Sequence, residues 1–447
     1  MTLLAIDWSS VAVKTGQFIL SFSILVILHE MGHFFPAKWF KCRVEKFFLF
    51  FNPYFSLWKK KVGETEYGLG WVPFGGYVKI SGMVDESMDK EQLKKPAEPH
   101  EFRSKPAWQR LIIMVGGVFV NIVLAIILFI MIMYVWGEEY LPTKNLTYGV
   151  HADSLAAEIG IKSGDKIVSI DGKPHDNFGT IGAEIILGEA KQIEINRNGQ
   201  NINIPIPEGF IKKLNKNKLE GFVDVRFPAI VDSVGPNAKF TEGKLQKGDQ
   251  IIGLDNKPVF FFDEVKKARQ ETKNNNVTLK VLRNNDTVLV QWVPKEGVAL
   301  FYPKSPYEIF GTTTKKYTLA ESIPAGFRKC FETLDRYVTG LKQLFTGKVN
   351  ASDSLGSVIS IGNTFPSFWD WQRFWTLTAI FSIILAFMNI LPIPALDGGH
   401  ALFTLVEMVS GRKPSDKFME YAQMAGMALL LGLMAYALGL DFWRLFK

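Results

Sequence analysis

The stretch Ile27-Leu28-His29-Glu30-Met31-Gly32-His33-Phe34 holds the spacing with the most chemistry in it. On a helix, His29 and His33 are four residues apart, so their imidazoles project to one side, about one turn from each other. Such a pair can hold one Zn²⁺, and Glu30 beside the first ligand can reach a metal-bound water without ligating the metal itself. Zinc lowers the pKa of its water to about 7, so Glu30 needs only modest basicity to take the proton. The chemistry implied is metal-assisted hydrolysis.

Zinc held by two histidines needs a third protein ligand and an open position. The two cysteines, Cys42 and Cys330, lie in different regions and suggest neither a disulfide framework nor a thiolate site. No third histidine follows at the metzincin spacing. Asp397 is the best-placed carboxylate, in Asn389-Ile390-Leu391-Pro392-Ile393-Pro394-Ala395-Leu396-Asp397-Gly398. Pro392 and Pro394 break a helix there, and Asp397 is expected in the unwound chain that follows. His400 is read as a loop neighbour, not a ligand.

The elements that must position these groups are apolar. From Thr15 to Phe35 the only ionisable residues are His29, Glu30 and His33. A run of that length spans a bilayer, and ionisable groups inside one are costly and functional. With no basic residue before Lys14 and no small-residue cleavage site, it reads as a retained first transmembrane helix. Pro36 is expected to kink or end it. Three further apolar blocks run from about Trp108 to Trp136, Phe374 to Leu391 and Tyr421 to Leu440. Asn121, the one strong polar side chain of the second block's charge-free body from Leu111 to Val135, is expected to hydrogen-bond to a neighbouring helix as structural glue.

At 447 residues the chain exceeds one domain, and its net charge of +7 is modest. The basic residues flank apolar blocks, as in membrane proteins, and form no nucleic-acid footprint. Between the first two blocks, Phe47 to Phe51 and Tyr67 to Ile80 are aromatic, β-branched and punctuated by glycine. They read as a β-hairpin that re-enters the membrane beside the histidines. Residues 142–294 read as soluble and repeat themselves: Ile161 to Pro174 matches Leu245 to Pro258 at a domain-sized offset. Each copy resembles a PDZ domain of the bacterial, permuted kind. Apolar Ile323, Phe327, Phe331, Leu334, Val338, Leu341 and Phe345 mark an amphipathic helix, followed by a linker over Lys348 to Pro366. Lysine and arginine after the first block and at Arg412, Lys413 and Lys417 put those loops in the cytoplasm. The duplicated pair and both termini then lie on the other side.

Together, His29-Glu30-x-x-His33, Asn389-x-x-Pro392-x-Pro394-x-x-Asp397-Gly398 and the duplicated pair between them resemble the site-2 protease family of intramembrane zinc metalloproteases. The resemblance implies zinc on His29, His33 and Asp397, Glu30 as catalytic base, and a role for Asn389, Pro392 and Pro394 in positioning substrate. It makes Gly75, Gly76 and Tyr77 part of the family's re-entrant hairpin, which meets substrate. It implies cleavage of single-pass membrane proteins in the bacterial inner membrane, above all a trimmed anti-sigma factor, and of leftover signal peptides. The PDZ pair and termini would be periplasmic. The expected fold is a polytopic α-helical membrane protein with four transmembrane helices, a re-entrant β-hairpin or sheet, and two tandem PDZ domains. Its segments would be 1–40 (first transmembrane helix), 41–105 (loop with hairpin), 106–141 (second helix), 142–220 and 221–300 (PDZ domains), 301–370 (amphipathic helix and linker), 371–400 (third span) and 401–447 (loop and fourth span). An inactive membrane PDZ scaffold and a zinc transporter are the other classes. The intact Glu30 argues against the first, and the lack of further intramembrane carboxylates or histidines along a path against the second.

Overall fold

The computed structural model describes residues 8–83, 96–217, 221–235, 238–271, 276–294, 299–347 and 356–445. It divides into two compact units. One comprises residues 1–137, 316–341 and 354–447; the other comprises 138–315 and 342–353.

The first unit is a helical bundle with one sheet. Its long helices are α1 (Trp8–Trp39), α2 (Ala107–Val135), α3 (Leu319–Phe345), the latter's final turn falling in the second unit, α5 (Trp371–Ile390) and α7 (Asp416–Leu445). Two shorter helices are α4 (Val358–Gly362) and α6 (Asp397–Ser410). Among the described residues four helices are long and apolar enough to cross a membrane: Trp8–Trp39, Ala107–Val135, Trp371–Ile390 and Lys417–Trp443. The chain is a multi-pass membrane protein.

Helices α1 and α2 touch backbone to backbone. A Cβ on Gly32 would lie 2.4 Å from the Gly116 carbonyl oxygen, and one on Gly116 would lie 2.0 Å from that of Gly32. Small residues allow this approach, which apolar association in lipid depends on. Pro36 does not end α1, which continues to Trp39. Proline removes the N–H that would serve the Gly32 carbonyl, and Gly116 packs against that same carbonyl. Buried polar bridges add the third helix: Ser21 Oγ meets Thr378 Oγ1 at 2.9 Å, linking α1 to α5, and Ser382 donates to the Asn121 carbonyl at 2.7 Å, linking α5 to α2.

Where a hairpin or sheet is expected, a four-stranded sheet forms, in the order β2-β3-β1-β4, of β1 (Val44–Phe51), β2 (Trp58–Val62), β3 (Thr65–Leu69) and β4 (Val72–Ile80). β1 pairs antiparallel with β4 and parallel with β3. Phe48, fully buried on β1, stacks on Tyr77 of β4 with centroids 5.4 Å apart. β4 is an edge strand lying along α1.

Asp397 is not in unwound chain. Helix α5 stops at Ile390, Leu391 to Leu396 form the break, and Asp397 is the first residue of α6. Inside the break Ala395 holds φ of 81°, a left-handed conformation that few non-glycine residues adopt. Helix α3 keeps its apolar stripe exposed, including Ile323, Phe327, Phe331 and Phe345. Of the expected linker, residues 348–355 lie outside the described residues, and α4 follows them.

The second unit contains two cores, one running from Val150 to Phe222 and the other from Ala229 to Phe301. The two sequence-matched stretches fold alike. Strand Lys166–Ile170 pairs with Lys173–Pro174 ahead of helix Ile181–Leu187, and Gln250–Leu254 pairs with Lys257–Pro258 ahead of Phe262–Glu271. In each, a buried aspartate takes both arms of an arginine: Asp165 from Arg197 at 2.7 and 2.8 Å, Asp249 from Arg283 at 2.7 Å twice. The same arginines also cap a carbonyl of the preceding turn, Gly160 and Lys244.

Candidate metal centre and active site

Helix α1 brings His29 and His33 to the face that packs on α2, and the start of α6 delivers Asp397 to the same point. His29 Nε2 lies 3.3 Å from His33 Nε2, and Asp397 Oδ2 lies 3.2 and 3.3 Å from the two nitrogens. Both histidines are 7% exposed. Tetrahedral zinc with ligands at about 2.0–2.1 Å sets its donors about 3.3–3.4 Å apart, so these three atoms match one face of such a site.

The surroundings fix which atoms can ligate. His33 Nδ1 is 2.8 Å from the Ile113 carbonyl oxygen, which can only accept, so Nδ1 carries the proton and Nε2 keeps its lone pair. Asp397 Oδ2 is buried without a hydrogen bond among the described residues. Lone pairs thus converge with no proton to separate them, which is the condition a cation relieves. On His29, Nδ1 faces the Asn121 side-chain amide at 3.1 Å, and the Asn121 Oδ1 atom is itself buried without a partner among the described residues. Turning that amide over satisfies the orphan oxygen with the His29 Nδ1 proton and leaves His29 Nε2 as a donor to metal. Asn121 is therefore more than helix glue: it orients a histidine of the cluster. Its signal in the sequence is that it is the single strong polar side chain between Leu111 and Val135.

Space matters as much as charge. A Cβ on Gly117 would fall 2.4 Å from His33 Nε2 and 2.6 Å from His29 Cε1. Only glycine at this position of α2 leaves room for both rings. The Asn389 amide, near the end of α5, lies 3.2 Å from His29 Nε2, beside the converging donors.

A cavity of about 400 Å³ opens onto the cluster, lined by His29, Glu30, His33 and Asp397 together with Gly76 and Tyr77 of β4. His400, one turn after Asp397, also lines it, as does Gln423 of α7. Gly75, Pro392 and Pro394 are not in its wall. The two prolines instead shape the break that aims Asp397, and Tyr77 is braced by a 3.0 Å hydrogen bond from its hydroxyl to Asn52. Arg110 of α2 forms a half-buried salt bridge with Glu407 of α6, tying the helix that starts at Asp397 to the helix that carries Ile113 and Asn121.

Curated relatives align over nearly the whole chain. A Haemophilus influenzae protein named regulator of sigma E protease is 28% identical over 96% of this chain and 98% of its own length. The Escherichia coli regulator of sigma-E protease RseP is 26% identical over the same shares. A Xylella fastidiosa protein named as a candidate zinc metalloprotease is 27% identical over 94% of this chain and 96% of its own. Peptidase family M50 matches residues 17–433. With donors arranged for one tetrahedral metal and a family match over that length, the chain belongs to peptidase family M50 and is a zinc metalloprotease.

Proposed function

We propose that the protein cuts transmembrane segments of single-pass membrane proteins within the bilayer, with zinc on His29, His33 and Asp397 and Glu30 as the general base. The observation that carries this reading is the convergence of three donor atoms within 3.3 Å, two of them on a membrane-length helix and the third at the start of α6, with Glu30 in the wall of the same cavity. Zinc, when bound, supplies a Lewis acid for the scissile carbonyl and lowers the pKa of water. The Glu30 carboxylate takes a proton from the attacking water and returns it to the departing nitrogen. Ile113 and Asn121 hold the two imidazoles in the tautomer that leaves Nε2 free.

A helical substrate hides its amides, so a few residues must unwind and their freed N–H and C=O groups need partners. Edge strand β4 offers a ladder at Gly76 and Tyr77, with Gly75 allowing the bend of its backbone, and the substrate would add to it as a further strand. Asn389 and the Pro392–Pro394 break complete the substrate groove. We read the two cores of the second unit as tandem PDZ domains, periplasmic like the termini, that screen substrates by bulk. Two relatives named as regulators of sigma E support a part in sigma-E regulation. The motif resemblance to site-2 proteases extends the reading to an inner-membrane enzyme of envelope-stress signalling, acting on an anti-sigma factor after a first extracytoplasmic cut, with remnant signal peptides as further substrates.

The test is cleavage of a synthetic transmembrane peptide by the purified protein in liposomes, with and without a chelator. Chelator-sensitive cleavage inside the apolar segment is expected, and none by Glu30→Gln. Cleavage by Glu30→Gln at the native rate would overturn the assignment of the base, and chelator-resistant cleavage that of the metal.

A further inference from the structure

Gln423 lies in the membrane-length part of α7, is 6% exposed and lines the same cavity as Glu30 and Asp397. Its Oε1 is buried with no hydrogen-bond partner among the described residues. One turn later, a Cβ on Gly426 would lie 1.6 Å from the Pro394 carbonyl oxygen, so α7 is pressed against the break that leads into Asp397. Backbone packing at Gly426 thereby holds Gln423 at the site, while its Oε1 has no partner among the described residues.

A buried acceptor without a donor is expensive, and lipid offers no water to relieve it. Leucine would fill the same volume at no such cost. A neutral amide in this place can accept from a backbone N–H and donate to a backbone C=O. A segment unwound from its helix presents those two groups and needs them satisfied. We infer that Gln423 hydrogen-bonds the backbone of the unwound substrate segment, its Oε1 accepting from one substrate N–H, so that α7 supplies a binding contact from an element other than β4. This rests on the intramembrane protease reading above.

The probe is a synthetic transmembrane peptide in liposomes, in which each amide within about three residues of the cut is replaced in turn by an ester, removing one N–H. Ester replacement also weakens the substrate helix, which favours unwinding, so a slower reaction at one position cannot come from the helix. For the wild-type protein, one position beyond those that meet β4 should lower kcat/KM about tenfold. Gln423→Leu should lower kcat/KM of the all-amide peptide by about the same factor, with zinc content unchanged, and lose the sensitivity at that one position. Gln423→Met, closer in shape, serves the same purpose should the leucine variant fold poorly. Wild-type rates that respond to no ester position, or a response that persists undiminished in the Gln423 variants, overturn the inference while leaving chelator-sensitive cleavage, and so the protease reading, intact. No cleavage of any peptide by the wild-type protein overturns both.

Discussion

The Asp441 carboxylate of α7 accepts from both the backbone N–H of Ser357, at 2.9 Å, and its hydroxyl, at 2.5 Å. Ser360 adds a second N–H at 3.1 Å and a second hydroxyl at 2.6 Å. One buried carboxylate thus caps the start of α4 and pins it to the last membrane-length helix. Asp441→Asn puts an NH₂ where donors already point. It should destabilise the first unit by about 2–4 kcal/mol, since hydrogen bonds to a charged group are the strong ones and unpaired buried donors are costly. Denaturant unfolding in detergent measures this, and an unchanged midpoint would show that the cap is not holding the helices together.

Metal retention separates the ligands from the base. Asp397→Asn should leave zinc binding greatly weakened and cleavage absent. Glu30→Gln should retain about one zinc per chain while losing cleavage, because an amide cannot take the proton of water. Metal analysis after dialysis reads both, and a fully loaded, active Asp397→Asn protein would remove that carboxylate from the site.

Asn121 is predicted to act through His29. Asn121→Leu should speed zinc loss about 10- to 100-fold, the usual effect of removing the partner of a metal-bound imidazole. Asn121→Asp, which keeps the acceptor oxygen, should restore much of the difference. Equal zinc loss rates in wild type and the leucine variant would return Asn121 to a purely packing role.

Gly117→Ala should cost the centre before it costs the fold. The added methyl meets His33 Nε2 and His29 Cε1, not neighbouring backbone. The expected result is loss of zinc with little change in helical content, checked by metal analysis alongside circular dichroism. Retained zinc at full stoichiometry would mean the rings can step aside.

The second unit should show its own pH dependence. His151 Nδ1 lies 3.2 Å from Asp263 Oδ2, and that hydrogen bond raises the His151 pKa above 6.5 against desolvation, helped by Asp263, Asp153 and Asp224 charges. Burial would raise the Asp263 pKa, but His151 and Arg226 hold it below 3.8. The pair therefore stabilises the unit fully between pH 3.8 and 6.5, and loses that contribution as pH rises through the elevated His151 pKa. Thermal unfolding of the full chain from pH 6 to 9 should show a transition that weakens with pH, and Asp263→Asn should flatten that slope. An identical slope in the variant would assign the dependence elsewhere.

What could be read from the sequence divides along physical lines. His29, Glu30 and His33 are legible because helical spacing alone puts both imidazoles on one side. The four membrane-length helices are legible because runs such as Leu111 to Val135 carry no charge. Asp397 is reached by counting ligands, but its place at the start of α6 is not legible: the two prolines announce a break, and no residue type announces the restart that Ala395 makes possible with its left-handed backbone. The parallel pairing of β1 with β3 is hidden because strand patterns specify faces, not partners. Ile113 contributes only a carbonyl, which every residue has, so its hold on His33 leaves no trace in sequence. Gln423 and Asn121 do leave one, as lone amides in apolar spans, and both are easily passed over as packing.

The contact between His29 and Asn389 spans 360 residues of chain, and Asp397 comes later still. During synthesis α1 enters the bilayer with His29, Glu30 and His33 in place long before the last donor exists. A nascent chain, or one cut short anywhere upstream of Asp397, holds two-thirds of a metal site and no closed one. On the proposed ligand set, hydrolysis must wait until the chain has been made through Asp397, with only the rest of α6 and α7 still to follow.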